Sequence, residues 1–172
     1  AENGHLDIVV NNAGVGQQLD RVSDLPDGEW DRVLAATLTG TFYCGRAAAA
    51  IMERQESGAI VNISSIGACL GSVSAHPAYG VSKAGLIALT KSLAKEGAAD
   101  GILVNAIAPG SIDTPMLESF GPEARVQYAE AALLKRQASP KELAESVVFL
   151  VSPASSYITG ATLHVNGGAL LV

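Results

Sequence analysis

Tyr79 and Lys83 stand four residues apart in Tyr79-Gly80-Val81-Ser82-Lys83, with Ser65 upstream in Ile63-Ser64-Ser65. On a helix this spacing puts phenol and amine on one face, their Cβ atoms about 5–6 Å apart. A free phenol titrates near pH ~10, and each unit of depression is about 1.4 kcal/mol of preference for the phenolate. A neighbouring ammonium supplies part of that preference, so the pair is suited to giving and taking a proton near neutral pH. The spacing alone is common, however, and on many helices the lysine stem merely packs along the ring. The surroundings of the pair decide its meaning.

The elements around it can be read from periodicity. Residues 6–11, 59–64 and 102–107 are short apolar runs rich in Ile and Val, the pattern of strands buried on both faces, and a last strand falls at about 161–165. Between them, Trp30, Val33, Leu34, Leu38 and Phe42 recur at helical spacing behind Asp27, predicting one long helix over 27–54 that Gly58 stops. A second long helix is expected over 77–98, starting at Pro77 and stopping near Gly97, after a loop of small residues at 66–76. Two more helices fall at about 122–135 and 140–152. Strands alternating with helices predict an α/β fold, an open doubly wound parallel sheet covered on both faces.

Composition narrows the partners. The chain has 172 residues, 48% hydrophobic and 16% charged, which suits one globular domain with a sizeable core. Its net charge of −6 and the lack of a Lys/Arg cluster argue against a nucleic-acid partner. Cys44 and Cys69 lack metal-ligand spacing, and two unpaired thiols without a signal-peptide pattern fit a reducing cytoplasm. The apolar stretches are broken well before the ~20 residues that cross a bilayer, so no membrane association is expected.

Five stretches then occur in a fixed order: Leu6-Asp7-Ile8-Val9-Val10-Asn11-Asn12-Ala13-Gly14, Gly58-Ala59-Ile60-Val61-Asn62-Ile63-Ser64-Ser65, the Tyr79 to Lys83 run, Val104-Asn105-Ala106-Ile107-Ala108-Pro109-Gly110, and Ile158-Thr159-Gly160 through Val165-Asn166-Gly167-Gly168. Together they resemble the short-chain dehydrogenase/reductase family over nearly the whole chain. The resemblance implies a Rossmann-like sheet, NAD or NADP as cofactor, and hydride transfer between a secondary alcohol and a ketone. It makes Tyr79 the general acid/base, with Lys83 lowering its pKa and holding the nicotinamide ribose. It makes Ser65 the ligand of the carbonyl oxygen, ahead of Ser64, because Ser65 through Gly71 matches the family's serine loop. The interval from Gly71 to Tyr79 is one residue longer than usual.

Other positions follow from the same resemblance. Thr37, in Ala36-Thr37-Leu38-Thr39-Gly40-Thr41-Phe42, stands where the family has an asparagine that holds a relay water. A threonine there either holds the water or bonds back within its own helix. Asn12, Ala13 and Gly14 are expected beside the adenosine ribose, with Asn11 bracing the sheet. Pro109, Gly110, Ile112 and Thr114 are expected at the nicotinamide. Residues 116–128 would form a substrate lid whose Leu117, Phe120 and Tyr128 suggest an apolar or mixed pocket. His76 reads as a solvent-facing loop histidine, and Asn166-Gly167-Gly168 as a turn.

The family's Thr-Gly-x-x-x-Gly-x-Gly turn is not found in these 172 residues. The chain therefore reads as a single unit, 1–172, the C-terminal portion of such a domain. Two functions are compatible with that. One is the oxidoreductase acting on a small alcohol or ketone. The other is a silent scaffold that keeps the helices at 27–54 and 77–98, which in the family pair with their own copies to give dimers or tetramers, but cannot hold a dinucleotide alone. A hydrolase built on Ser65 is remote, since no Gly-x-Ser-x-Gly elbow surrounds it.

Overall fold

The computed structural model describes residues 4–16, 21–71 and 77–172. His76 and the extra residue between Gly71 and Tyr79 fall outside the described residues. Four parallel strands, β1 (Ile8–Asn11), β2 (Gly58–Ile63), β3 (Ile102–Pro109) and β4 (Thr162–Val165), form one sheet in the order β1-β2-β3-β4. The helices are α1 (Asp27–Leu34), α2 (Gly40–Gln55), α3 (Gly67–Leu70), α4 (Pro77–Gly97), α5 (Pro115–Glu118), α6 (Pro122–Ala131) and α7 (Pro140–Leu150).

The sheet is wound on both faces. In the parallel register Val9 lies beside Ile60 and Ile60 beside Val104, so these side chains share a face. There they pack with Ala48 and Met52 of α2 and with Leu93 and Ala94 of α4. Val61, Ile63 and Ile107 point the other way and meet Leu143, Val147 and Leu150 of α7. β2 and β3 are buried on both sides, as their continuous apolar sequence predicts. β1 is not: Ile8 is 46% and Val10 43% exposed, because among the described residues no helix covers that part of the sheet.

The helix expected as one piece over 27–54 is divided. Ala35–Thr39 forms a single π-helical turn between α1 and α2, a local widening often associated with functional sites. Thr41 Oγ1 donates to the Thr37 carbonyl at 2.8 Å and holds the turn. The turn lies directly on α4, where Gly85 offers no side chain: a Cβ there would stand 2.8 Å from Leu38 Cδ2. A buried polar chain ties the sheet to the same helix. Asn11 Nδ2 donates to Asn62 Oδ1 at 2.8 Å, Asn62 Nδ2 to Thr90 Oγ1 at 2.9 Å, and Thr90 Oγ1 to the Leu86 carbonyl at 2.7 Å. Asn11 thus braces the sheet, which satisfies amides that would be costly to bury unpaired.

Other boundaries differ modestly. α6 ends at Ala131 rather than 135, because Ala132 turns to an extended backbone, φ −76° and ψ 141°, and Lys135 beyond it takes a left-handed φ of 54°. The short helices α3 and α5 occupy segments expected as loop and lid. α7 starts from a capping box in which the Ser139 hydroxyl accepts from Glu142 N–H and the Glu142 carboxylate accepts from Ser139 N–H.

Candidate active site

α4 begins at Pro77, whose missing N–H is harmless in a first turn, and so presents Tyr79 and Lys83 from its first two turns at the carboxyl end of β2. Lys83 is 4% exposed. Its Nζ stands 5.5 Å from the Tyr79 ring centroid and donates to the Ile63 carbonyl at 2.7 Å. Burial lowers the amine from 10.5 to about 8. The phenol does not follow the expected downward course in this chain. Burial pushes Tyr79 up, a hydrogen bond with the Ser65 side chain pulls it down, and the Tyr128 phenol pushes it up again. Desolvation is the largest of these influences and outweighs the Ser65 bond, so the phenol stands above its ordinary value.

The two serines are used differently. Ser64 is buried, and its hydroxyl donates to the Lys83 carbonyl at 2.7 Å, stitching β2 to α4. Ser65 faces the Tyr79 phenol, while its Oγ accepts from Gly67 N–H at 3.1 Å at the start of α3. The geometry thus brings Ser65, not Ser64, to the phenol.

Thr37 is fully buried, and its hydroxyl neither bonds back within the helix nor faces outward. Oγ1 accepts from Val15 N–H at 3.3 Å, so the π-turn grips the loop that leaves β1. Gly14 of that loop lies against Lys83, with an added Cβ only 3.2 Å from Nζ. Thr37, Gly14, Lys83, Tyr79 and Ser65 therefore form one continuous group. Asn12 and Ala13 sit further out, in a hollow of about 260 Å³ shared with Val10, Ala36, Gly40, Thr41 and Cys44.

Pro109, Gly110, Ile112 and Thr114 leave the adjacent strand end and are held by their own bonds. Gly110 N–H donates to the Val165 carbonyl at 3.0 Å, and a Cβ on Gly110 would meet Asn166 Cα at 2.8 Å, so this glycine is required by close strand approach. Ile112 pairs with Ala138 in an isolated bridge, and Thr114 Oγ1 donates to the Ile112 carbonyl at 3.4 Å. The segment expected as a lid, 116–128, follows Thr114 and carries most of α5 and α6. Phe120 and Tyr128 lie with ring centroids 6.5 Å apart, and Tyr128 is near enough to Tyr79 to disfavour a second phenolate there.

The chain matches proteins of known type over nearly its whole length. A family model described as enoyl-(acyl carrier protein) reductase matches residues 1–169. The chain belongs to the short-chain dehydrogenase/reductase family. It is 46% identical over 165 residues to a 3-oxoacyl-(acyl-carrier-protein) reductase of Aquifex aeolicus, covering 95% of this chain and 65% of that one. To the cis-4-hydroxycyclohexanecarboxylate dehydrogenase of Sinomonas cyclohexanicum it is 42% identical over 168 residues, covering 98% of this chain and 67% of the relative. The crystal structure of a 3-oxoacyl-(acyl-carrier protein) reductase from Brucella melitensis superposes with a TM-score of 0.93 at 36% identity, over 99% of this chain and 66% of that one. The chain thus spans about two thirds of the length of these relatives.

Three features of the site were not foreseen from sequence. The Ile63 carbonyl that fixes Lys83 is a backbone group and leaves no mark on residue type. The π-turn carrying Thr37 keeps the helical spacing of apolar residues on either side. Gly16 lies against the Tyr79 ring, with an added Cβ 3.0 Å from Cδ2. Its one trace is a second glycine two residues after Gly14.

Among the described residues no helix is long and apolar enough to cross a membrane, and no group of three or more His, Cys, Asp or Glu is placed to hold a metal.

Proposed function

We propose that this chain forms the proton-transfer part of an NAD(P)-dependent oxidoreductase that interconverts a secondary alcohol and a ketone. The observation that carries the proposal is the meeting of the Tyr79 phenol with Ser65 and Lys83 at the carboxyl end of β2, where open α/β sheets bind their ligands. In reduction Tyr79 gives its proton to the carbonyl oxygen, and in oxidation its phenolate takes the proton of the alcohol. Ser65 donates a hydrogen bond to the same oxygen and holds it at the phenol. Burial favours the protonated phenol, the form required for reduction.

The donor set suits a nicotinamide dinucleotide. Lys83 has three N–H donors and gives one to Ile63, so two are left for neighbouring ribose hydroxyls. Asn12, Ala13 and Gly14 on one side, and Pro109, Gly110, Ile112 and Thr114 on the other, would flank the bound cofactor, whose nicotinamide supplies or accepts the hydride. Thr37 acts by holding the Gly14 loop in place.

The relatives act on a 3-oxoacyl group and on a hydroxycyclohexanecarboxylate. These support an oxo- or hydroxy-acid derivative as the substrate class, and Phe120 and Tyr128 suit a molecule of mixed polarity. Exposed Phe42 and Tyr43 on α2 and Val81 on α4 support homo-oligomers formed through these two helices. The exposed free thiols Cys44 and Cys69 suit a cytoplasmic setting.

The test is binding and turnover by the purified chain and by any longer protein that contains it. Micromolar binding of NAD(H) or NADP(H), ketone-dependent oxidation of the reduced form, and loss of turnover but not of cofactor affinity in Tyr79→Phe are expected. Turnover that survives in Tyr79→Phe would overturn the assignment of the acid. Dinucleotide binding absent from the longer protein would leave an oligomerisation scaffold in its place.

A further inference from the structure

We infer that the loop Gly14-Val15-Gly16, pinned by Thr37, is a backbone clamp that sets where Tyr79 and Lys83 stand, and that Gly16 is a positioning residue for the phenol. The inference rests on the oxidoreductase reading for its consequence in turnover, but its geometry is independent of that reading.

Glycine is usually needed for a left-handed backbone or for close approach. At Gly14 and Gly16 the first reason is absent, since neither is among the glycines of positive φ, which are Gly4, Gly71, Gly101, Gly121, Gly160, Gly167 and Gly168. Close approach is what remains. A Cβ on Gly16 would stand 3.0 Å from Tyr79 Cδ2, 3.5 Å from Cγ and 3.6 Å from Cε2, so the loop backbone lies along one edge of the ring. A Cβ on Gly14 would stand 3.2 Å from Lys83 Nζ. Two glycines of one loop thus meet the two members of the pair one to one.

Between them, Val15 N–H donates to Thr37 Oγ1. The π-turn that presents Thr37 is in turn seated on α4 through Leu38 and Gly85. The loop, the π-turn and α4 therefore close a circuit around the phenol and amine, and the hydroxyl of Thr37 is its fastener. Asparagine at position 37 is not needed for this work; an acceptor of the right reach is.

The decisive measurement is an ultraviolet titration of the tyrosines, with Tyr79→Phe identifying the step that belongs to Tyr79. In Gly16→Ala that step is expected to move away from the parent value while the unfolding midpoint stays close to the parent, because Gly16 does not take the left-handed φ that alanine avoids and its added Cβ meets a ring that can shift. In Thr37→Val the step is expected to move as well, and in Thr37→Ser, which keeps the acceptor, to remain. Where turnover is measured, a ring displaced by a few tenths of an ångström should lower kcat roughly tenfold. A Gly16→Ala protein whose Tyr79 step coincides with the parent would overturn the clamp. Absence of both dinucleotide binding and ketone-dependent turnover would instead remove the oxidoreductase reading, and the titration would still judge the clamp.

Discussion

The Lys83 ammonium donates to the Ile63 carbonyl at 2.7 Å, and the next residue of that strand end, Ser64, donates back to the Lys83 carbonyl at 2.7 Å. Side chain and main chain of one lysine are thereby stitched to consecutive residues. The consequence is an amine that is immobile, almost fully buried and poorly hydrated. Its charge is tolerated because one N–H is bonded, and it is expensive because no carboxylate among the described residues pairs with it.

That expense makes stability depend on pH. Burial lowers Lys83 to about 8 from 10.5 in the folded chain. Below about pH 8 the lysine is protonated in both states, and the folded state bears the full penalty. Between about 8 and 10.5 the unfolded chain binds more protons than the folded one, so stability rises with pH through this window. The gain is bounded at about 3 kcal/mol by the size of the shift. Tyr79 acts oppositely above pH ~10, where its raised pKa favours a proton retained in the folded state. Urea unfolding measured from pH 7 to 10 should show a midpoint that climbs above pH 8 in the parent and stays flat in Lys83→Met. An equal climb in both proteins would place the titrating group elsewhere.

The adjacent serines should separate cleanly. Ser64→Ala removes a buried hydrogen bond between β2 and α4, at a cost of about 1 kcal/mol, and leaves the phenol untouched. Ser65→Ala removes a partly exposed hydroxyl whose structural bond is to Gly67 N–H, and in the proposed reaction it would leave the substrate oxygen without its second donor. Its stability should change by a few tenths of a kcal/mol at most, while kcat/KM falls on the order of a hundredfold. Parallel denaturation and kinetics on both variants would check this, and the reverse pattern would transfer the role to Ser64.

The central strands were legible almost to the residue because β2 and β3 are buried on both faces and their apolar runs say so. The same pattern in Ile8 and Val10 misleads, since burial depends on what packs across the sheet and the strand's own residues do not carry that information. Helix spacing placed Trp30, Val33 and Leu38 on one continuous rod. A π-turn of five residues passes unnoticed in such a pattern, because the apolar side chains resume facing the core after it. At the site, Tyr79 and Lys83 are four apart on one helix and could be paired from sequence. The contacts from Gly16 to Tyr79 and from Val15 to Thr37 join segments far apart in the chain, and local residue types give no sign of them.

The segment expected as a lid offers a case where a weak interaction should have a visible effect. Arg125 of α6 reaches Asp113 at 2.7 Å and Glu118 of α5 at 3.7 Å, while Gln137 Nε2 donates to its carbonyl at 2.9 Å. These groups are partly exposed, so the ion pairs contribute about 0.5–1 kcal/mol, too little to alter global unfolding. A lid opens locally, however, with a free energy far below that of the whole fold. Against that small barrier, the same 0.5–1 kcal/mol corresponds to a roughly two- to fivefold change in the open population. Arg125→Met should therefore speed amide exchange across 115–131 by about that factor and raise KM for the carbonyl substrate more than it lowers kcat. Lys135→Met, which removes the exposed pair with Glu130 at 3.6 Å and the Nζ bond to the Glu130 carbonyl at 2.6 Å, acts on the last turn of α6 alone and should change neither exchange across 115–127 nor KM. Exchange across 115–131 that is the same in Arg125→Met and the parent would show that the lid is held by Phe120 against Tyr128 and by the bridge between Ile112 and Ala138, and that the charges are incidental.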